Sequence, residues 1–112
     1  MEEISLVYIT ASGRQEAESL ARLILSERLG ACVNIYGGVQ SLYLWKGDVE
    51  AQEETTLVVK TRTCLVPDLA RIVKEAHSYD VPCVIAVPVS FTEPDYGRWI
   101  SRETLPGATP NG

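Results

Sequence analysis

Positive charge is scarce in this chain. Ten lysines and arginines stand against fifteen aspartates and glutamates, a formal net charge of −5 over 112 residues. A phosphate backbone is gripped by a basic face, so this balance argues against a nucleic-acid partner. It also leaves anionic membranes no polybasic handle. No apolar run approaches the length that spans a bilayer. The opening MEEISLVYIT has no cationic stretch ahead of its apolar one, so no secretory leader is expected. Cysteine is sparse: Cys32, Cys64 and Cys83 are odd in number and lack close pair spacing. That speaks against a disulfide framework or a structural zinc motif. Free thiols in a reducing cytoplasm are the expectation. Histidine occurs once, at His77.

What remains suits one domain with a single apolar core, over residues 1–104. The closing LPGATPNG, residues 105–112, is rich in proline and glycine and is expected to fray as a flexible tail. No internal repeat is evident. Ile4 to Thr10 is β-rich and reads as a strand. Ser12 and Gln15 have capping-box spacing, followed by Ala17, Leu20, Ala21 and Ile24 at helical intervals, with Gly30 placed to stop the helix. Two long β-like runs, Ala31–Trp45 and about Glu50–Thr61, flank Lys46-Gly47-Asp48 and predict a hairpin turning at Gly47. A second helix is expected from Leu65 to Ala76, with Pro67 tolerated in its first turn and Leu65, Leu69, Ile72, Val73 and Ala76 buried. VIAVPV, residues 84–89, reads as a core strand, and Thr92-Glu-Pro-Asp opens a last short helix through Trp99 and Ile100. This order predicts an α+β ferredoxin-like βαββαβ domain with an extended hairpin and a short C-terminal helix.

The hairpin arms are longer than two such helices can cover, since ordinary strands run about 3 to 10 residues. Gly37-Gly38 falls mid-arm, where glycine marks a bulge or bend. The outer half, with Leu42, Tyr43, Leu44 and Trp45, would then project with unpaired edges. A second copy of the chain is the expected cover, because aromatics favour interfaces; the ordinary alternative is a ribbon that curls back over its own sheet.

Several separated motifs now resemble one family. They are ACVNI at 31–35, Tyr43-x-Trp45-x-Gly47, Glu54 ahead of an apolar strand ending Lys60-Thr61, His77-x-Tyr79 before Val81-Pro82, and Trp99-Ile100. Together these resemble the CutA divalent-cation-tolerance family over nearly the whole chain. The resemblance implies a tight homotrimer whose hairpins pair with neighbouring subunits, an architecture similar to PII signal proteins, and tolerance of copper and other divalent metals without a catalytic reaction. Three departures stand out. Gly37-Gly38 replaces the usual Pro-Gly, His77-Ser78-Tyr79-Asp80 replaces His-Pro-Tyr-Glu, and Cys83 stands where a glutamate is common. The last exchanges a hard oxygen donor for a soft sulfur one.

Candidate metal ligands follow as Cys32, His77 and Cys83, with copper as the metal. Each has an ordinary alternative: the thiols as small core groups, His77 as a helix C-terminal cap. Cys64, at a helix entrance, receives no role. Glu54 and Lys60 lie six apart on one strand and share a face by parity. The family pattern places them, with Asn34, Trp45, Tyr79 and Asp80, in an intersubunit pocket. The competing reading is a PII-like sensor holding an anionic metabolite in those clefts, which would need an amide cradle or a basic cluster such as the turn Ala11–Arg14. Gly38-Val-Gln-Ser superficially echoes an acylphosphatase phosphate loop. It lies inside the hairpin with no arginine following, so catalysis is not expected.

Overall fold

The computed structural model describes residues 2–105. The tail expected at 105–112 lies, beyond Leu105, outside the described residues. The chain runs β1 (Ile4–Ala11), α1 (Arg14–Ser26), β2 (Cys32–Trp45), β3 (Asp48–Arg62), α2 (Val66–Ala76), β4 (Val84–Pro88) and α3 (Pro94–Glu103), with a 3₁₀ turn at Thr63–Leu65 leading into α2. The four strands form one antiparallel sheet in the order β2-β3-β1-β4. That is the ferredoxin-like arrangement.

Alternation along the strands decides what each face does. Val7 and Ile9 of β1, and Leu57 and Val59 of β3, point to one face and are fully buried. They pack with Ala17, Leu20, Ala21 and Ile24 of α1 and with Leu65, Leu69 and Val73 from the turn and α2. Burying such a set supplies the main driving force for folding. The close approach of α1 to the sheet depends on Gly30. A Cβ there would sit 2.6 Å from Val59 Cγ1 and 2.9 Å from Ile24 Cγ2.

Four local expectations need correction. The N-cap of α1 is Gly13, and the Ser12–Gln15 box does not form. Instead Glu16 reaches back to accept the Ser12 N–H at 2.9 Å. Gly30 does not end the helix. Arg28 takes the left-handed conformation at φ 56°, and the Arg28 and Leu29 N–H groups bond to Leu25 and Ile24 carbonyls in a Schellman closure. On α2, Ala76 is exposed and His77 takes the buried place beyond it. Finally β4 is an edge strand, not a doubly covered one. Val84 and Ala86 pack on the core, while Ile85 and Val87 face outward and are exposed. The run is apolar throughout and read as a core strand, but the α1/α2 layer covers only one of its sides.

The other face of the sheet is open for most of its length. Leu6, Tyr8, Tyr36, Ile85 and Val87 are exposed on it. Only one end is covered, by α3. Arg62 Nε donates to Thr104 Oγ1 at 3.0 Å, and Lys60 Nζ stands 5.7 Å from the Tyr96 ring centre.

Beyond the helices, β2 and β3 continue as a two-stranded ribbon to a two-residue turn, Lys46 and Gly47, both at positive φ (52° and 87°). Those angles match the right-handed strand twist. The ribbon stretches the molecule to 46 × 26 × 25 Å. The radius of gyration is 14.7 Å, against about 13 Å for a compact chain of this length. Midway the pairing jumps from Tyr36↔Thr56 to Val39↔Glu54, and Gly38 takes φ 73°. Three residues of β2 are spent against two of β3, so the glycine pair forms the expected bulge.

Candidate functional site

The bulge changes which β2 residues look out over the open face. Inside it, Cys32, Asn34 and Tyr36 pair with Lys60, Val58 and Thr56. Outside it, Ser41, Tyr43 and Trp45 pair with Gln52, Glu50 and Asp48. Directly opposed residues share a face. Tyr43, Trp45, Glu50, Gln52 and Glu54 therefore stand on one side of the ribbon, with Leu42, Leu44 and Val49 on the other. The loop after α2 curls over the first side.

Between ribbon and loop lies a concavity of 670 Å³. Its walls are Tyr8 and Thr10 of β1, Ser41 to Tyr43 and Trp45 of β2, Glu50, Gln52 and Glu54 of β3, and Tyr79, Asp80, Val81 and Cys83 of the loop. Three carboxylates and four aromatic rings line it. No lysine, arginine or histidine does.

A chain of hydrogen bonds fixes the wall. Tyr43 Oη donates to Gln52 Oε1 at 3.0 Å, Gln52 Nε2 donates to Tyr79 Oη at 2.8 Å, and Tyr79 Oη donates to Glu54 Oε2 at 2.9 Å. Burial and the Glu54 carboxylate push the Tyr79 phenol up to about 12, so it stays protonated and keeps donating. The loop is pinned from beneath. His77 caps α2, its Nε2 donates to the Thr10 carbonyl at 2.7 Å, and its Nδ1 accepts the Tyr79 N–H at 3.0 Å. Glu16 accepts the Ser12 and Ser78 N–H groups, the latter at 2.7 Å. Burial alone would raise its pKa, but the amides and hydroxyls of Ser12 and Ser78 outweigh it and hold it at about 2. Proline in place of Ser78 would carry no N–H. The departure from the family pattern thus supplies a donor in place of stiffness.

Of the sequence-predicted pocket residues, the structure gathers Trp45, Glu54, Tyr79 and Asp80 around the cavity, with Tyr43, Leu42 and Cys83. It does not gather Asn34 or Lys60. Asn34 sits further along the open face opposite Val58, and Lys60 lies beside Cys32 and Tyr96. Burial would lower the Lys60 pKa, but Cys32 and Tyr96 raise it. Gln52, Glu50, Tyr8 and Thr10 were not singled out from sequence. Glu50, Gln52 and Glu54 alternate, however, and that period of two was the available signal for one face.

The three candidate metal ligands do not converge. Cys32 pairs with Lys60 in the row of Leu6, while Cys83 lies at Thr10, four residues further along β1. That is about 13 Å of strand. His77 has both ring nitrogens engaged. Burial, reinforced by the Glu54 charge, pushes the Cys83 thiol above its ordinary value despite a contact with Thr10, which disfavours the thiolate a metal needs. Among the described residues no three His, Cys, Asp or Glu side chains are grouped to hold a metal ion. A site within one chain is not built. The turn Ala11–Arg14 fares no better for anions, since Glu16 already occupies the Ser12 N–H.

Comparison with known proteins supplies an independent measure. The sequence profile of the CutA1 divalent ion tolerance protein family matches residues 5–103. Protein CutA, chloroplastic, from Arabidopsis thaliana is 40% identical over 99 residues, 88% of this chain and 54% of that protein. The chain spans little more than half the length of that relative and of similar rice and mouse proteins. The divalent-cation tolerance protein CutA of Thermus thermophilus is 39% identical over 104 residues, covering 93% of this chain and 99% of its own. The crystal structure of CutA1 from Oryza sativa superposes with a TM-score of 0.90 at 39% identity, over 93% of this chain and 95% of that one.

Proposed function

This chain belongs to the CutA1 divalent ion tolerance family, and from that premise we propose that it acts without catalysis, as a homotrimer that takes up copper as cargo in metal tolerance. The observation that carries the assembly is the open face. Leu6, Tyr8, Tyr36, Ile85 and Val87 lie exposed on the sheet, and Leu42, Leu44 and Val49 lie exposed on the back of the ribbon. Exposed apolar side chains on both of these surfaces mark an interaction site, and a bare ribbon edge invites strand pairing. A closed ring of three copies covers both at once.

Copper enters through the thiols. Cys32 and Cys83 share the open face with Tyr8 and Lys60, and soft sulfur favours copper(I) over hard ions such as magnesium. Since the two are far apart within one chain, the proposal requires donors from neighbouring chains. Cys32 and Cys83 are the cargo ligands in it, and His77, its nitrogens committed, holds the loop instead.

Light scattering tests the assembly, with an expected mass three times the 12.3 kDa chain. A monomer at micromolar concentration sinks the proposal. Titration against a copper(I) chelator tests the thiols. Replacing Cys32 and Cys83 together by serine should remove most of the affinity, and equal affinities for wild type and double variant would exclude them.

A further inference from the structure

We propose that the groove between Glu2 and helix α3 is an oxyanion site, where the Arg62 guanidinium grips a small carboxylate or phosphate once Glu2 swings aside. None of its walls is among the residues assigned above to contacts between copies.

The first observation is Arg62 itself, the last residue of β3. It is 3% exposed, and a charge held that far from water needs close partners. Those it has fall short. Nε donates to Thr104 Oγ1 at 3.0 Å, a neutral acceptor. Nη1 reaches Glu2 Oε2 at 3.4 Å, beyond the roughly 2.7–2.9 Å of a well-made charged pair. Nη2 is buried and has no acceptor among the described residues. The unfilled side is therefore the Nη1–Nη2 edge, the fork that takes both oxygens of a carboxylate or phosphate.

The second is what lies beyond Glu2. That residue is also a wall of a groove of 480 Å³, whose other walls are Gly97, Arg98, Ser101 and Arg102 of α3. A single carboxylate thus stands between the buried guanidinium and an open space of small-molecule size, roughly 300–1,000 Å³. Glu2 precedes the first strand and its side chain is 44% exposed, so turning it outward breaks one slack contact.

The third is sign. The chain carries a net charge of −5, yet two further guanidiniums, Arg98 and Arg102, and the Ser101 hydroxyl meet at this groove. Arg98 is engaged by Asp95. The helix dipole accounts for Arg102 in the last turn of α3. It does not account for a buried arginine with an open edge. Glu2 acts here as a tethered competitor, holding one tine of a fork that a free oxyanion would fill.

Isothermal titration calorimetry with inorganic phosphate and with acetate, at constant ionic strength in chloride, tests this on the whole chain. Saturable binding of both anions is expected. Glu2→Gln removes the competing charge and should tighten binding severalfold. Arg62→Lys keeps the charge without the fork and should weaken it by about tenfold or more. Arg98→Gln with Arg102→Gln should weaken it severalfold. Circular dichroism checks folding, and if Arg62→Lys unfolds, the opposite signs expected of Glu2→Gln and of the exposed pair decide. No saturation into the millimolar range overturns the proposal. So does an unchanged affinity in Glu2→Gln. Wild-type affinity in folded Arg62→Lys overturns it as well, leaving an adventitious ion only on the exposed arginines.

Discussion

Leu57 and Leu44 both sit on the long hairpin, one on each arm, and share no fate. Leu57 is fully buried beneath the helices, whereas Leu44 is 73% exposed on the projecting ribbon. The two regions have the same pairing pattern and the same β-rich composition. They differ in what lies underneath. The inner rows have α1 and α2; the outer rows have no helix. Backbone pairing therefore continues well past the point where burial stops, and a two-stranded ribbon alone is marginal, which is the gap the proposed assembly would fill. Inner and outer hairpin share their pairing but not their burial.

The sharpest test removes a leucine from each region. Leu57→Ala should cost about 2–5 kcal/mol of unfolding free energy, read by urea titration. Leu44→Ala should cost the chain's own fold less than about 0.5 kcal/mol and show itself in dissociation on dilution. Equal losses in urea at fixed mass would erase the distinction. Trp45→Ala comes next. Truncating an interfacial tryptophan costs about 2 kcal/mol or more, so trimers should dissociate at higher concentration while the monomer's circular dichroism holds. An unchanged dissociation midpoint would show that the tip plays no part in assembly.

Acid probes the body alone. Glu16 is held at about 2 in the folded chain against an ordinary 4.5. Its contribution is complete above the ordinary value and is lost as pH falls toward 2. Glu16→Gln can accept one of the two amides but not both, and should cost about 1.5 kcal/mol at neutral pH. The acid limb of the stability curve should flatten in the variant. An identical limb would place the acid response elsewhere. Smallest is Tyr79→Phe, which cuts the hydroxyl joining Gln52 and Glu54 of the hairpin to the loop. About 1 kcal/mol is expected, with faster amide exchange across 79–83 and little change in the helices. Uniform change throughout would mean that the two regions are not separable.

Much of the inner region could be read from sequence, because periodicity reports burial. The stripe of α1, the strand at Ile4–Thr10, the hairpin turn at Gly47 and the bulge at the glycine pair 37–38 all fell where local pattern put them. What eluded it depends on contacts distant in the chain. VIAVPV announces an apolar strand without saying which faces are covered. Gly30 is needed for its approach to Val59, not for ending a helix. Leu42, Tyr43, Leu44 and Trp45 read as one aromatic-tipped cluster, although strict alternation already splits them between two sides. The cavity combines β1, the ribbon and the loop, so no single stretch of sequence contains it. Cys32 and Cys83 are each placed by strand register that only the folded sheet reveals.

The bulge at Gly37-Gly38 also bears on how hairpin length can vary. Pairing is anchored on its inner side at Tyr36↔Thr56 and on its outer side by the Lys46-Gly47 turn. One residue of β2 is in surplus between these anchors, so deletion of one glycine would leave every flanking pair intact. The cavity wall would keep its lining, and only the local bend and twist that a bulge imposes would relax. Elsewhere in the outer arm, a one-residue deletion would put neighbouring side chains out of phase until it reached this spare position. The hairpin thus carries its tolerance to insertion and deletion at one point. There the direction in which the ribbon reaches can change while the side-chain phase of its two faces is kept.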